Sequence, residues 1–304
     1  MTQTSQSYSA KDEATSFLAK RTAWDRAKIL LKKSPNTARF GMIVIAAYVI
    51  VAVFAPWIAP YGQAEVFPVP YAPWGGDHMF GTDQIGRDIL SRMIYGARNT
   101  VGIAFATTIL AFLIGASLGL AAAINRSWLD QFISRSVDVL MAIPSLIFAL
   151  VLLSIFGSSV INLIIIIAVL DSTRVFRLTR AVAVNVVVMD YVEAAKLRGE
   201  GLGWIMRREI LPNIMPPLVA EFGLRFCFVF LTIAALSFLG VGIQPPTADW
   251  GSMVRENASL IQFAQYDLKA GLTPLLPAAA IALLTVAVNF VVDWFLHHTS
   301  GIKD

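Results

Sequence analysis

Apolar residues in this chain come in long blocks rather than in short alternations. Five mostly apolar blocks cover residues 40–58, 100–124, 137–156, 216–239 and 274–296. Each is close to the ~20 residues a helix needs to cross about 30 Å of hydrocarbon, where nothing but the chain itself satisfies backbone N–H and C=O groups. A sixth block, residues 160–170, holds 11 residues before Asp171 and reaches spanning length only if it continues to Val175 or Phe176 with a polar end. The pattern predicts an all-α polytopic bundle of six membrane-crossing helices.

Composition agrees. Of 304 residues, 57% are hydrophobic and 14% charged, against about 25% charged in ordinary soluble domains. Mean hydropathy is +0.67. A soluble enzyme, a disordered chain and a disulfide scaffold are all disfavoured, and the single cysteine, Cys227, has no internal partner. The formal charge of +4 is better explained by topology than by nucleic acid. With six spans and both termini cytoplasmic, 18 Lys and Arg fall inside and five outside (Arg87, Arg92, Arg98, Arg255 and Lys269), with Arg225 left within span five, as positive-inside bias requires. Five spans would place the basic segment after residue 170 on the wrong side. No cleavable leader is expected, because residues 1–39 are polar and the first apolar block is long and late. Trp24, Ala27, Leu30 and Leu31 share a helical face opposite Arg26, Lys28, Lys32 and Lys33, which suits either an interfacial helix or a solvated leader.

The chain therefore divides into a cytoplasmic tail (1–39), a first span with an external segment (40–99), a five-helix core (100–296) containing a long cytoplasmic loop (171–215), and a short cytoplasmic tail (297–304). The external segment is rich in Pro and Gly and turns regular from Asp83, and residues 240–273 form a second turn-rich external lip. Neither a repeat nor inverted symmetry is visible, which disfavours a single-chain secondary carrier. No GxxxxGK[ST] loop occurs, so no ATPase of that kind is expected. His78, His297 and His298 lack metal-ligand spacing, and no nucleophile–base pairing stands out. Among intramembrane polar residues, Glu221 and Arg225 lie four apart in span five, either at the pore or a partner contact, or as a self-neutralising pair. Asp171 and Arg174 end span four, and Asn289 and Asp293 lie near the inner end of span six. Gly115 and Gly119 form GxxxG, which permits close helix contact, and Pro144 predicts a kink.

One polar segment has helical spacing of its own. Asp190 with Glu193 resembles a capping-box helix start, Gly199 suits a helix end, and a second stretch, residues 202–211, stops at Pro212. Ala194 and Ala195 leave a face able to seat closely on another surface. Without further information this is either an ordinary connection or a docking element. Glu193-Ala194-Ala195, Gly199 and Leu211-Pro212 together resemble the EAA signature of ABC-importer permeases, although the isoleucine of that pattern would fall at Glu209 and here stands at Ile210. Residues 80–98, 235–251 and 54–61 are similar to stretches of dipeptide and oligopeptide permeases, closest to the C-type subunit. At the tail the chain keeps Asn289 and Asp293 but carries Val292 and Trp294 where glycines stand in that family.

The resemblance implies a type I importer permease of the bacterial inner membrane with Asp190, Glu193, Ala194, Ala195, Gly199, Leu211 and Pro212 in the ATPase-coupling loop. It also implies a homologous permease partner, two ATPase subunits that bind ATP and Mg, and a periplasmic binding protein, with no cofactor or metal in this chain. Dipeptides or oligopeptides are the expected cargo, with nickel or sugar as the alternative within the family. A stand-alone channel or carrier, and a membrane-embedded enzyme, are the readings outside it.

Overall fold

The computed structural model describes residues 34–124 and 128–299. Every regular element among them is helical, apart from two isolated bridges, Gly75–His78 and Thr82–Asp88. The expected surface helix near Trp24, like the tail beyond 299, lies outside the described residues.

Helix α1 (Asn36–Ile58) is followed by an irregular external segment and by α2 (Ile89–Gly96). A π turn, Ala97–Val101, leads without a break into α3 (Gly102–Ile124). Next come α4 (Trp128–Ala142), α5 (Ser145–Phe156) and α6 (Val160–Val187). Two short helices, α7 (Asp190–Leu197) and α8 (Leu202–Ile205), and a second π turn, Met206–Ile210, precede α9 (Leu211–Phe238). On the far side α10 (Trp250–Asn257), a 3-10 turn (Ala258–Phe263) and α11 (Leu268–Leu272) lead to α12 (Leu275–Thr299).

Four helical runs are long and apolar enough to cross a membrane: Asn36–Ile58, Ile89–Ile124, Leu202–Phe238 and Leu268–His298. The expected third span is not one helix, for α4 and α5 meet at 90°. Pro144 has no N–H to donate and drives Ile143 out of helical geometry, so the predicted kink becomes a corner. The expected fourth span is a 28-residue helix that runs well past Phe176 to Val187, capped at its start by Ser159, whose Oγ accepts from Asn162 N. Because Asp171, Arg174 and Arg177 sit in α6, apolarity alone does not mark it as a crossing helix. The external segment becomes regular at Ile89 rather than at Asp83. Between these two positions Asp83 Oδ1 accepts from Ile85 N and Arg87 N, and Gly86 adopts φ +89°. Such an Asx-type turn offers the backbone an alternative to helix.

Lipid is as apolar as leucine, so close packing rather than solvent exclusion decides which helices meet. Small residues make that possible here. A Cβ at Gly115 would lie 2.5 Å from Ser172 O and 2.7 Å from Val175 Cβ, and one at Gly119 would lie 2.8 Å from Thr179 Cβ. The GxxxG face is therefore the seam between α3 and α6. Gly41 likewise brings α1 onto the Ala287 carbonyl of α12. In the centre α9 contributes Phe226 and Phe230, stacked at 5.9 Å, with the Trp250 ring edge-on to Phe230 at 6.3 Å.

Gly115→Ala or Gly119→Ala forces α6 off α3, and overpacking of this kind costs about 1–3 kcal/mol. Both variants should melt below wild type in detergent. Gly102→Ala on the same helix, where an added Cβ meets nothing within 4 Å, should melt at or above it.

Candidate functional site

The segment flagged in the sequence is a compact helical elbow at the ends of α6 and α9. α7 begins with Asp190 as its first helical residue. The residue flanking it is Met189, whose carbonyl accepts from Val192 N and Glu193 N. The expected capping box is thus absent; Asp190 and Glu193 instead put two carboxylates in the first turn, where the helix dipole favours them. The end of α7 follows expectation. Gly199 takes φ +79° and donates to Lys196 O, and Glu200 N donates to Ala195 O. Those two bonds are the Schellman pair, which needs a left-handed residue where glycine stands.

Val192 and Ala195, three apart on one stripe, are fully buried. They pack in a cluster with Ala183 and Val187 of α6, Ile205 and Ile210 of the elbow, Ile214 and Leu218 of α9, and Leu120 and Ala123 of α3. Ala194, one residue round the helix, is exposed with Glu193 and Asp190. The two alanines therefore do not share a face, since successive helical residues are about 100° apart. Ala195 holds α7 to its own chain while Ala194 faces outward, beside the exposed Val188, Met189, Tyr191, Leu197 and Leu202.

The second stretch does not stop at Pro212. It passes through the π turn at Met206–Ile210 into α9 and continues past Pro216 and Pro217. A π turn widens the ladder by one residue just where Pro212 has no N–H to offer. Ile210 is fully buried in the cluster and Glu209 half-buried. Leu211 is half-buried and Pro212 exposed.

Four of the intramembrane polar residues, Glu221, Arg225, Asp171 and Arg174, gather into one neutral cluster. Arg225 Nε lies 2.6 Å from Glu221 Oε1, and Arg225 Nη1 lies 3.7 Å from Asp171 Oδ1 on α6. Arg174 Nη1 approaches the same Asp171 oxygen at 3.4 Å. Arg225 also stands 4.7 Å over the Phe228 ring. Two carboxylates and two guanidiniums thus tie α6 to α9 beside a cavity of about 20 Å³ lined by Asp171, Ser145 and Thr232, room for about one water. Asn289 lies apart from this cluster, half-buried on α12.

A second constellation was not foreseen in the sequence. Asp83, Arg87, Arg92 and Glu256 are paired with side chains at most 6% exposed. Arg87 Nε donates to Asp83 Oδ2 at 2.6 Å and its Nη2 to Glu256 Oε2 at 2.8 Å; Arg92 Nη2 reaches the same Glu256 oxygen at 3.0 Å. Nearby, Asp249 caps α10 by accepting from Ser252 N and also accepts from Thr100 Oγ1. Burial pushes the Asp249 carboxyl above the usual range, against the hydrogen bonds that pull it down. His78 Nδ1 lies 3.0 Å from Asp88 Oδ1, and its ring packs against those of both Tyr61 and Phe67. The segment before α2 and the segment around α10 are therefore one clasp, joined across more than 160 residues of sequence. The type of residue was visible; the pairing was not. Among the described residues no group of three or more His, Cys, Asp or Glu could hold a metal ion.

Long apolar helices, an elbow carrying the EAA-type residues, and ion pairs that join one helix to another define a polytopic membrane transport component. Sequence comparison gives the family. Residues 113–300 match the model of the binding-protein-dependent transport system inner membrane component, and residues 22–73 match the N-terminal TM domain of oligopeptide transport permease C. The chain belongs to the first of these families. It is 38% identical to the di/tripeptide transport system permease protein DppC of Pseudomonas aeruginosa over 83% of this chain and 84% of that one. It is 39% identical to the dipeptide transport system permease protein DppC of Escherichia coli over 86% and 87%. Against the protein of the same name from Alkalihalophilus pseudofirmus the identity is 34% over 89% and 87%. A crystal structure of an amino acid ABC transporter with histidines aligns at a TM-score of 0.49 and 21% identity, covering 68% of this chain and 94% of that one.

Removing one member of a buried ion network strands its partners and costs about 3–5 kcal/mol. Glu256→Leu should therefore lower the melting temperature of the purified protein sharply, as should Arg87→Met. The double variant, which leaves Asp83 with Arg92, should lose clearly less than the sum of the two singles in a double-mutant cycle. Additive losses would show that the clasp is not a network.

Proposed function

We propose that this chain is one of two homologous permease subunits of an ATP-driven importer for dipeptides or oligopeptides in the bacterial inner membrane. It crosses that membrane six times with both termini in the cytoplasm. The elbow at α7 receives the stroke of the ATPase subunits, which bind ATP and Mg outside this chain, and a periplasmic binding protein delivers the peptide. Hydrolysis occurs elsewhere; the chemistry of this chain is noncovalent.

The observation that carries the reading is the two-sidedness of α7. Its inner stripe, Val192 and Ala195, is buried among side chains from α3, α6 and α9 at once, while Asp190, Glu193 and Ala194 face outward with the surrounding apolar side chains. A force on the outer face therefore reaches three helices through close-packed contacts, and packed interiors pass displacement on rather than absorbing it. Leu211 and Pro212 stand where the elbow becomes α9. From there the stroke runs up α9, which Arg225 and Glu221 tie to Asp171 of α6. The corner between α4 and α5 is where a path between subunits can change width without unwinding a helix. The names of the relatives favour peptides over the nickel and sugar alternatives.

Gly199→Pro removes the left-handed residue that ends α7, since proline is held near φ −65°. Glu193→Lys with Ala195→Trp reverses the outer charge and overfills the inner stripe. Both variants should reach the membrane at normal levels and abolish ATP-dependent peptide uptake in cells. Normal uptake by either one at wild-type expression would refute the coupling assignment. Titration of the cognate binding protein with peptides, nickel and sugars tests the cargo separately, and binding of peptides alone is expected.

A further inference from the structure

The α3–α9 seam is open on one side next to the elbow, whose buried cluster it adjoins through Leu120 and Leu218, and the charge clusters do not line it. Leu113, Ala116 and Leu120 of α3 face Leu211, Met215 and Val219 of α9 across a groove of about 440 Å³. Ala116 and Ser117 supply its hollow, and Leu218 and Leu120, nearly buried, its floor. From Ile109 to Leu120 the groove runs about 16 Å along the helix, roughly the hydrocarbon depth of one leaflet. Apart from the Ser117 hydroxyl its walls are apolar.

At the elbow end the chemistry changes. Arg207 and Arg208 are exposed and make no ion pair among the described residues. Arg207 stands about one turn before Leu211, the last lining residue of the groove, and the nearest carboxylate in sequence, Glu209, is half-buried between them. Two guanidiniums at the mouth of an apolar slot of one-leaflet length match a molecule with an anionic head and an extended hydrocarbon tail. Guanidinium pairs with phosphate oxygens bidentately, and each interfacial cation contributes on the order of 1 kcal/mol toward an anionic lipid.

We propose that this groove holds one acyl chain of an anionic phospholipid whose phosphate is bound by Arg207 and Arg208. The site requires only that α3 and α9 cross the bilayer and does not depend on the transport reading. Occupied, it would brace the elbow against α3 from the lipid side, opposite the contact of α7 with the protein interior.

The assembled transporter is reconstituted in nanodiscs of equal parts phosphatidylglycerol and phosphatidylcholine, stripped with detergent, and its retained phospholipid counted by mass spectrometry. Wild type should retain phosphatidylglycerol in preference to phosphatidylcholine. Arg207→Gln with Arg208→Gln should lower that preference by about tenfold or more, the scale of two interfacial cations. Ala116→Phe, which fills the groove, should lower retention of phosphatidylglycerol while leaving both arginines in place. A photo-reactive residue at Leu113 should cross-link to lipid. Equal retention of the two lipids by wild type, retention unchanged in the arginine double variant or in Ala116→Phe, or cross-linking of position 113 to a protein chain would each overturn the proposal. The cross-link keeps the test decisive if Ala116→Phe fails to fold.

Discussion

Hydrocarbon offers no partner to a backbone amide, and this restriction shapes every departure from helix in the chain. Two long runs pass through π turns, at Ala97–Val101 and Met206–Ile210, without losing their continuity. The 90° corner between α4 and α5 falls at Pro144, which needs no donor satisfied. Irregular backbone falls in the segment before α2, at Ile143–Pro144 and Gly157–Ser159, around α7 and between α9 and α12. A π turn lets the chain meet a polar loop and a proline-bearing helix on the same axis, and buried Ile210 marks where that adjustment turns the sequence inward.

Charge obeys the same logic. Six of the charged side chains that describe the inner architecture sit in clusters whose signs cancel locally: Asp83, Arg87, Arg92 and Glu256 on one side, and Asp171 with Arg225 between the helices. A lone ion in such surroundings is prohibitive, while a balanced set costs far less to keep than to break. The clasp holds the segment before α2 to the segment around α10, and the second cluster ties α6 to α9. Further toward the elbow, Arg180 grips Asp130 of α4 through two bonds of 2.6 and 2.7 Å. The molecule is thus fastened at three levels, with the α4–α5 corner beside the middle one.

Much of this was legible in the sequence. Long apolar blocks give the helices, because a period-free apolar run of about 20 residues has few other uses. Gly115 and Gly119 pointed to a close helix contact without naming α6 as the partner, and Gly199 pointed to the end of α7, which depends on chemistry within one turn of the residue. What escaped were features set by distant partners or by backbone register. Asp190 reads as a cap but lies inside the helix, because Met189 takes the flanking position. Ala194 and Ala195 read as one face but divide between two. The length of α6 was underestimated because Asp171, Arg174 and Arg177 look like an end, when two of them find partners on other helices: Arg225 of α9 for Asp171, and Asp138 of α4, 2.6 Å away, for Arg177. The clasp of Arg87 and Arg92 on Glu256 was invisible, for nothing local in residues 80–98 points to a carboxylate so far along the chain.

The two-sided α7 is useful only if its outer face lies in the compartment that holds ATP. The chain has one native cysteine, Cys227, which is buried, so single-cysteine labelling is clean once it is replaced by alanine. Cysteines placed at exposed Ala194 and at exposed Val66 are probed in intact cells and in inverted membrane vesicles with a maleimide that does not cross the bilayer. Position 66 should react only in intact cells, and position 194 only in inverted vesicles, where added ATPase subunits should protect it. Reaction of position 194 in intact cells would place the elbow on the wrong side and contradict its role as the receiver of the stroke.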